Sequence, residues 1–366
     1  MPKKYLTAAV VIAVASLAGA FACDDDTAAA QTDYGPVLHS LTETVILPEH
    51  VAFAARADEL AAAMQTLEST PDADSLAKAQ GAWRSARAAF RLLDALHFGP
   101  VASLGISERI DLSPATPSDI DAIVAGAAPI DAKVVSVAGG HAKGFLGVEY
   151  LIFSTDGASA ALSRLTGDGA PARRRTLVRA MAEEIASSAH QLADAWDPAK
   201  GGYAKDVEGA GATSQRYASQ RAAVDDIVGG VGFALELVVG VRLATPLGRK
   251  SGGTPEPNLD PTPASDSAVG DMTSSLDGVR VLYQGNGFSS MVRTKSSALD
   301  DRATGELGDC GAKLSAIPAP FTSAVSGSTA VVQAAYDACK ALKLTWNTDV
   351  TSALGATLKP SDNDGD

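Results

Sequence analysis

The sequence predicts an all-α protein, and two observations carry that prediction. Apolar residues recur every three or four positions along most of the chain, in an alanine-rich background. Few stretches show β-branched residues alternating at the period of two that marks a half-buried strand. With 366 residues, of which 46% are hydrophobic and 20% charged, the chain is long enough for one large or two medium domains with real cores.

The N-terminus has the layout of a secretory signal. Lys3 and Lys4 precede an uncharged run over residues 6–22, and three aspartates follow one residue later. The run is rich in alanine and is at the short end of the length that a membrane span needs, so a retained span is the weaker alternative. We therefore expect export, with residues 1–22 acting as a signal peptide.

Cys23 directly follows this run and is a candidate for lipid attachment. The small residue Ala22 precedes it, as at a lipoprotein acceptor cysteine, although Ala20 stands where such signals usually carry leucine. Ala20 and Ala22 also satisfy an ordinary A-x-A cleavage site, which is the alternative. We expect a lipoprotein anchored to a membrane of the bacterial cell envelope, facing the periplasm or the exterior, with residues 23–33 as an acidic, alanine-rich tether.

The strongest helical stripe lies between Leu76 and His97, where seven residues are spaced alternately by three and four positions. Asp72 lies in a plausible N-cap region before the stripe, and the dipeptide at 99–100, Gly-Pro, ends it. Such a stripe is typical of a seam in a helical bundle. The same period predicts four more helices, at residues 45–67 with a start or kink at Pro48, 176–196, 219–243 and 328–354.

The helical pattern stops after Gly248. Four prolines follow among serine, glycine, threonine and aspartate residues, a composition typical of a linker or a long boundary loop. We predict an N-terminal helical-bundle domain at residues 34–248, a boundary loop at 249–265 and a C-terminal helical-bundle domain at 266–360. The closing residues 361–366 are acidic but lack the distal glutamate of a calcium loop, so we predict a tail there.

Cysteine usage is consistent with an oxidising compartment. The chain has three cysteines, and lipidation of Cys23 leaves Cys310 and Cys339 as a pair. We expect these two residues to form a disulfide, whose loop of about 30 residues would stabilise the fold by about 3 to 4 kcal/mol in the chain-entropy model. Two unrelated buried thiols are the alternative.

The net charge and the motif search exclude several classes of function. A net charge of −13 argues against a nucleic-acid partner, because phosphate binding needs concentrated lysine and arginine. None of the five histidines is followed by glutamate, so the His-Glu-x-x-His zinc helix is missing. The chain also lacks a Gly-x-Ser-x-Gly elbow and a P-loop. These absences favour a binding protein over a hydrolase.

One apolar segment carries a lone carboxylate. Glu149 lies in a predicted helix, four residues after Phe145 and four before Phe153, so it shares a stripe with two large apolar side chains. A glutamate buried there needs a partner, and Arg87, a cation, or a hydroxyl such as that of Tyr150 or of a neighbouring helix are the candidates. Exposure at the edge of the helix is the alternative.

The segment at 144–153 resembles the Gly-x-His-x-x-Glu helix of the imelysin-like proteins, the M75 peptidase group. A second match is the Trp/Arg helix at 82–87, which is followed by Asp94 and by Phe-Gly-Pro at 98–100. The remaining matches are Ala-Trp-Asp-Pro at 195–198, Phe-Ala-Leu-Glu at 233–236 and the closing Ser-Asp-Asn-Asp-Gly-Asp at 361–366. Together these motifs run from about residue 82 to the C-terminus.

This resemblance implies an all-α fold of two helical-bundle halves, in an exported or lipid-anchored envelope protein often linked with iron acquisition. In the family the histidine and the glutamate lie three residues apart, so they share one helix face and could chelate a metal together. Here Leu146 occupies the histidine position and only Glu149 remains. The resemblance implies iron or another divalent cation as a cofactor, and the missing histidine weakens the case that such a cation binds here.

Three further residues are candidates for a ligand or metal site beside Glu149, namely Asp94, Arg87 and His141. Asp94 matches the family's acidic position and would form with Glu149 a carboxylate pair suited to a hard cation. A salt bridge from Asp94 to Arg87 or Arg91 is the alternative. His141 lies eight residues from Glu149, about 12 Å along a continuous helix, so it could approach only if nearby glycines break that helix.

Two classes of function follow from these observations. The first is a non-enzymatic envelope protein that binds iron, an iron-bearing ligand or another envelope protein, with a degenerate His/Glu site. The alternatives are an M75-type metallopeptidase and a structural or partner-binding lipoprotein with a vestigial site. The missing histidine makes an enzyme the weaker expectation, because the family's metal pair is incomplete.

Overall fold

The computed structural model describes residues 32–285 and 287–358. Within these ranges the chain is helical and contains no strand, so the predicted all-α class is confirmed. No helix in this part of the chain is long and apolar enough to cross a membrane. The predicted signal peptide, the lipid-attachment residue Cys23 and the acidic tail lie outside the described residues.

Eighteen α-helices make up the described part of the chain. The first twelve are α1 Gly35–Leu41, α2 Leu47–Ser69, α3 Ala73–Leu92, α4 Pro100–Ser103, α5 Ile106–Ile110, α6 Pro117–Ala125, α7 Ala132–Val137, α8 Gly144–Ile152, α9 Ala158–Ser163, α10 Ala170–Trp196, α11 Tyr203–Glu208 and α12 Gln220–Glu236. The other six are α13 Ala268–Tyr283, α14 Ser289–Lys295, α15 Ser297–Ser315, α16 Phe321–Gly327, α17 Thr329–Thr345 and α18 Thr351–Ala353.

Short segments of other helix types extend or join these α-helices. Three are 3-10 turns, at Leu93–Leu96, Gly140–Ala142 and Pro257–Leu259. Three are π-helical, at Thr42–Ile46, Leu237–Leu243 and Trp346–Val350. Each π segment is continuous with an α-helix, so it acts as a local bulge within a longer helix.

The helix boundaries follow from the capping signals in the sequence. Asp72 accepts a hydrogen bond from the backbone N–H of Ser75, and the Ser75 hydroxyl accepts one from the backbone N–H of Asp72, which closes a capping box at the start of α3. Pro48 lies in the first turn of α2, where its missing N–H costs nothing. Ser219 caps α12. The predicted starts near Asp72 and at Ser219 are confirmed, whereas Pro48, predicted to mark a start or a kink, directly follows the π segment at Thr42–Ile46 within a continuous helix.

Two bundles share one continuous core. In the N-terminal bundle α2 packs against both α3 and α10, and α8 packs against α3 and α10. In the C-terminal bundle α13, α15 and α17 pack together with α12, and the predicted Cys310–Cys339 disulfide joins α15 to α17. The bundles meet where α3 lies against α13. Residues from Tyr34 onward therefore form one compact unit.

The predicted boundary loop contains no α-helix and only the 3-10 turn at Pro257–Leu259. Its later part is nevertheless tied to the C-terminal bundle through Asp260. Asp260 accepts hydrogen bonds from the backbone N–H of Thr262 and from the hydroxyl of Thr322 in the C-terminal bundle. The domain bounds at 34–248 and 266–360 stay a prediction, since neither half is seen apart from the other.

Candidate functional site

Helix α3 and the 3-10 turn that continues it place three charged side chains on one buried face. Arg87, Arg91 and Asp94 are spaced by four and three residues, and their exposed fractions are 3%, 5% and 7%. These spacings keep them on the side of α3 that faces α13 and α12 rather than solvent. A charge removed from water is tolerated only when it is paired and hydrogen-bonded, so each of the three requires a partner.

Arg87 binds two aspartates from other elements. Its Nε and Nη2 donate to the carboxylate of Asp271 on α13 at 2.7–3.0 Å, a fork geometry that suits a guanidinium. Its Nη1 donates to Oδ1 of Asp111, just after α5, at 2.6 Å. Arg87 thereby ties the N-terminal bundle to the C-terminal bundle.

Asp94 receives two cations. Arg91 Nη1 lies 3.3 Å from its Oδ1, and Arg242 Nη2 donates to its Oδ2 at 2.8 Å. The hydroxyl of Ser275 on α13 also donates to Oδ2, at 2.6 Å, while it accepts from Arg242 Nη1. Arg91 additionally pairs with Asp111. The alternative raised for Asp94, a salt bridge with Arg91, is what the structure contains.

These contacts define the buried charge cluster, which consists of three arginines and three aspartates: Arg87, Arg91, Arg242, Asp94, Asp111 and Asp271. Burial lowers the pKa of Arg91 to about 9, and the neighbouring Arg242 acts in the same direction. Burial alone would raise the pKa of Asp94, but Arg242 and Arg91 outweigh it and hold that pKa below its ordinary value. The cluster is therefore internally compensated.

Glu149 lies beside this cluster with different partners. It is buried on α8, and its Oε1 accepts from the backbone N–H of Ser265 at 2.9 Å and from the Ser265 hydroxyl at 2.8 Å. Burial raises the pKa of Glu149 to about 7, although Arg87 and the Ser265 hydrogen bonds act against that rise. Gly144 starts α8 at a φ of 68°, and a Cβ there would collide with the carbonyl oxygen of Ile110.

The predicted burial of Glu149 is confirmed, and its hydrogen-bond partner is the hydroxyl of Ser265 rather than that of Tyr150 or of a neighbouring helix. Ser265 belongs to the boundary loop, whereas the Tyr150 hydroxyl donates to Asp121 instead. No arginine forms an ion pair with Glu149 within the described ranges, since the donors of Arg87 go to Asp271 and Asp111. Glu149 and Asp94 thus share a neighbourhood without sharing a direct partner.

The residues at the motif helix do not fit the metal that the family resemblance implies. Leu146 is buried and offers no donor atom, and one oxygen of Glu149 already accepts two hydrogen bonds. In the part of the chain that the structure describes, no three His, Cys, Asp or Glu side chains are grouped so that they could hold a metal ion. We therefore derive no chemical step through a metal.

His141 lies in the 3-10 turn before α8 and is half-exposed. Its Nδ1 lies 2.6 Å from the carbonyl oxygen of Pro114, and its own carbonyl accepts from the backbone N–H of Thr116. His141 is therefore not the hydrogen-bond partner of Glu149, which accepts from Ser265. The helix does break before Gly144, but the break directs His141 towards the loop at residues 114–116.

A cleft of about 240 Å³ opens next to the buried charge cluster, between α3 and the start of α13. Arg84 and Asp266 line it together with Arg87 and Asp271. Arg84 is the exposed cation of this group; its Nη2 donates to the carbonyl of Ser265 at 3.2 Å. Burial lowers its pKa, while Glu149 and Asp266 act in the opposite direction. The lining of the cleft is therefore mostly polar and charged.

Sequence reasoning missed five residues of this site: Ser265, Asp111, Asp271, Arg242 and Ser275. Two of them carry a signal. Arg242 is a single cation inside the apolar run at 237–243, and Asp271 falls on the stripe that Ala268, Ser275 and Leu282 continue along α13. Asp111 and the loop residue Ser265 carry no such pattern, because their role comes from distant contacts.

Comparison with known proteins identifies the fold. Two crystal structures share it: an iron-regulated protein A precursor from Parabacteroides distasonis, with a TM-score of 0.75 and 17% identity over 87% of this chain and 94% of that chain, and an imelysin-like protein from Psychrobacter arcticum, with a TM-score of 0.71 and 15% identity over 89% of this chain and 96% of that chain. At such identities the likeness concerns the fold alone.

Sequence comparison identifies the family. Iron-regulated protein A of Synechococcus elongatus is 28% identical over 250 residues, which cover 68% of this chain and 64% of that protein, slightly less than two thirds of its length. The family model for imelysin, of the peptidase M75 group, matches residues 46–345. That match spans the motif helix, the buried charge cluster and most of both bundles. The chain therefore belongs to the imelysin family.

Proposed function

We propose that the protein is a non-catalytic binding protein of the bacterial envelope, anchored by lipid on Cys23, which works in iron acquisition. One observation carries the choice of binding over catalysis: Leu146 replaces the histidine, and Glu149 is already held by Ser265. A hydrolytic site needs a metal or a base aimed at a reacting atom, and these two residues supply neither. The relatives named iron-regulated protein A support the link to iron.

The cleft beside the buried charge cluster is the proposed binding site. The arginines and aspartates of the cluster pair mainly with one another, although the buried Nε of Arg91 has no hydrogen-bond partner among the described residues and lies 3.8 Å from Asp271. Arg84 lines the cleft as an exposed cation that donates one hydrogen bond within the described ranges, to the carbonyl of Ser265, and a guanidinium of this kind suits the carboxylates of an iron-bearing chelate better than it suits a bare cation. The proposed ligand is thus an anionic iron complex.

Titration of the purified protein with ferric citrate, followed by tryptophan fluorescence, tests this proposal. Arg84→Ala should weaken binding about tenfold, the loss expected for one charge-assisted contact. Arg56→Ala is the matched control, because Arg56 is an exposed arginine of α2 whose only recorded partner in the described ranges is Glu59. Equal binding by both variants would refute the cleft as the site.

The non-catalytic part of the proposal has its own test. Wild-type protein should not cleave casein or bind zinc in stoichiometric amount, whereas Leu146→His should gain divalent-metal binding by restoring two ligands on one helix face. Glu149→Gln, added to Leu146→His, should remove the gained binding. Peptidase activity in the wild type that Glu149→Gln abolishes would overturn the proposal in favour of a metallopeptidase.

Lipid anchoring at Cys23 is tested by fractionation of cells. Wild-type protein should sediment with membranes and require detergent for release, because two acyl signals hold a protein stably at a bilayer. Cys23→Ser should appear in the soluble fraction after export. Recovery of the whole wild-type pool without detergent would contradict the anchor.

A further inference from the structure

A groove of about 440 Å³ runs along the outer surface of the N-terminal bundle, between α2 and α10. None of its lining residues belongs to α3 or α13, the two helices that line the cleft beside the buried charge cluster. Its walls carry small and aliphatic side chains, and its rim carries charged ones. The apolar lining residues are Leu47, Val51, Ala54, Ala55, Ala193 and Pro198.

Helix α2 carries apolar residues on part of its outer face as well as on its inner face. Its inner face buries Phe53, Ala57 and Leu60 in the core, as an amphipathic helix should. Its outer face nevertheless continues with Val51 and Ala55, and Val51 is 61% exposed. An exposed apolar strip beside a groove indicates an interaction surface.

The dimensions of the groove match a helix. Pairing of Asp58 with His190 and of Glu68 with Arg179 shows that α2 and α10 run antiparallel. The lining positions on α2 extend from Leu47 to Asp58, which at 1.5 Å per residue is about 16 Å, or three turns. Small residues at the floor leave room for the side chains of a third helix, the helix-in-groove mode of recognition.

The rim of the groove is mostly acidic. Asp58, Asp194 and Asp197 stand on it against Lys200 and the imidazole of His190. Lys200 lies 2.5 Å from Asp194 and 3.9 Å from Asp197, and His190 lies 2.9 Å from Asp58. These pairs are exposed, so exchanging them for cations of a partner would cost little. The carboxylates therefore favour a basic partner.

We propose that this groove receives an amphipathic helix of a partner protein, whose apolar side chains enter beside Val51 and whose lysine or arginine side chains meet the aspartate rim. The helix would complete a three-helix arrangement with α2 and α10. Apolar contact provides most of the affinity, and the rim charges select the sign of the partner. This role is independent of the cleft beside the buried charge cluster.

A synthetic amphipathic helix of leucine and lysine, about 18 residues or five turns long, is the probe. Fluorescence anisotropy of the labelled peptide is measured against the full-length protein. Val51→Lys should weaken binding about tenfold, because it puts a cation into the apolar floor. Leu344→Lys is the matched control: Leu344 is an aliphatic residue of α17 that is 64% exposed, and its variant should bind like the wild type.

A second peptide with glutamate in place of lysine tests the charge of the rim. It should bind at least about tenfold more weakly than the lysine peptide, and this difference should shrink as salt is added. Equal losses in Val51→Lys and Leu344→Lys, or equal binding of both peptides, would overturn the proposal. Sedimentation velocity adds a last outcome: a dimer that Val51→Lys dissociates would show that a second copy of the chain occupies the groove, and would also overturn it.

Discussion

Asp94 and Glu149 are both buried in the same region, yet their pKa values are displaced in opposite directions. Two arginines and a serine hydroxyl surround Asp94, and its pKa stays below the ordinary value. Glu149 has one amide and one hydroxyl, both from Ser265, and its pKa rises to about 7. Hydrogen bonds alone therefore do not repay the burial of a carboxylate here, whereas direct cations do.

The difference arises from how the donors of Arg87 are distributed. Arg87 is the cation that acts on Glu149, but three of its hydrogen bonds go to Asp271 and one goes to Asp111. Glu149 thus receives only the long-range part of that charge. As a result the pKa of Asp94 is held below its ordinary value, while the pKa of Glu149 is raised into the physiological range.

Removal of Arg87 should have the largest effect on the free energy of unfolding. Arg87→Ala takes away the paired cation of Asp271 and one cation of Asp111, so we expect a loss of about 3 to 5 kcal/mol in urea denaturation. Arg56→Ala, in an exposed pair with Glu59, should change it by less than about 1 kcal/mol. Equally small losses of unfolding free energy in both variants would show that the buried charge cluster does not stabilise the fold.

The Cys310–Cys339 disulfide should stabilise the fold by a mechanism that does not depend on charge. Replacing Cys310 and Cys339 by alanine should lower the free energy of unfolding by about 3 to 4 kcal/mol, because it frees a loop closed over a separation of 29 residues. The loss should be independent of pH and additive with that of Arg87→Ala, as expected for separate sites. A strong departure from additivity would mean that the two bundles unfold in a coupled way through the cluster.

The raised pKa of Glu149 predicts a pH dependence of stability with a definite sign. Below the ordinary pKa of 4.5 the carboxyl is protonated in the folded and the unfolded chain. Between 4.5 and about 7 the unfolded chain releases the proton first, so stability falls as the pH rises, and above about 7 the loss is complete. The whole change in the free energy of unfolding is on the order of 3 kcal/mol.

Glu149→Gln should flatten this part of the curve, since the amide oxygen can still accept from Ser265 but carries no charge. Urea denaturation at a series of pH values from about 4 to 8 measures it. The carboxylate of Asp94 should give the opposite slope at lower pH, because its pKa is lowered and its stabilisation is lost as the pH falls. A Glu149→Gln curve parallel to the wild type would contradict the comparison.

The Ser265 hydroxyl should have the smallest effect. Ser265→Ala removes one of two hydrogen bonds to Glu149, so we expect a loss of about 1 kcal/mol and a further rise in the Glu149 pKa. Ser267→Ala is the control, because the Ser267 hydroxyl has no hydrogen-bond partner in the described part of the chain. A Glu149 titration midpoint that stays in place in Ser265→Ala would show that the backbone amide alone sets it.

Much of the fold could be predicted because apolar period and capping residues act locally. The predicted helix from 219 to 243 matches Ser219 as the cap of α12 and Leu243 as the end of its π extension. Helix α13 was missed, since Asp271, Thr273 and Ser275 interrupt its apolar stripe. Two of these polar residues, Asp271 and Ser275, are buried, where they accept hydrogen bonds from Arg87 of α3 and from Arg242 of the π segment that extends α12.

The candidate site was less predictable, because its contacts span long stretches of chain. Burial of Glu149 follows from its stripe with Phe145 and Phe153, which is local information. Its partner Ser265 lies 116 residues away, in a segment whose composition indicates only a loop. The partners of Asp94 could not be predicted for the same reason, since Arg242 lies 148 residues away along the chain.

The π segment at Leu237–Leu243 makes the buried charge cluster sensitive to chain length as well as to residue type. A π bulge holds one residue more than an α-helix of the same span, so everything after it is rotated by about 100° relative to an uninterrupted helix. Removing one residue from this segment before Arg242 should therefore restore α geometry over the same span and leave the guanidinium facing Asp94. The same deletion within α12, which has no extra residue to give up, should turn Arg242 by about 100° and unpair the cluster although every charged residue is kept.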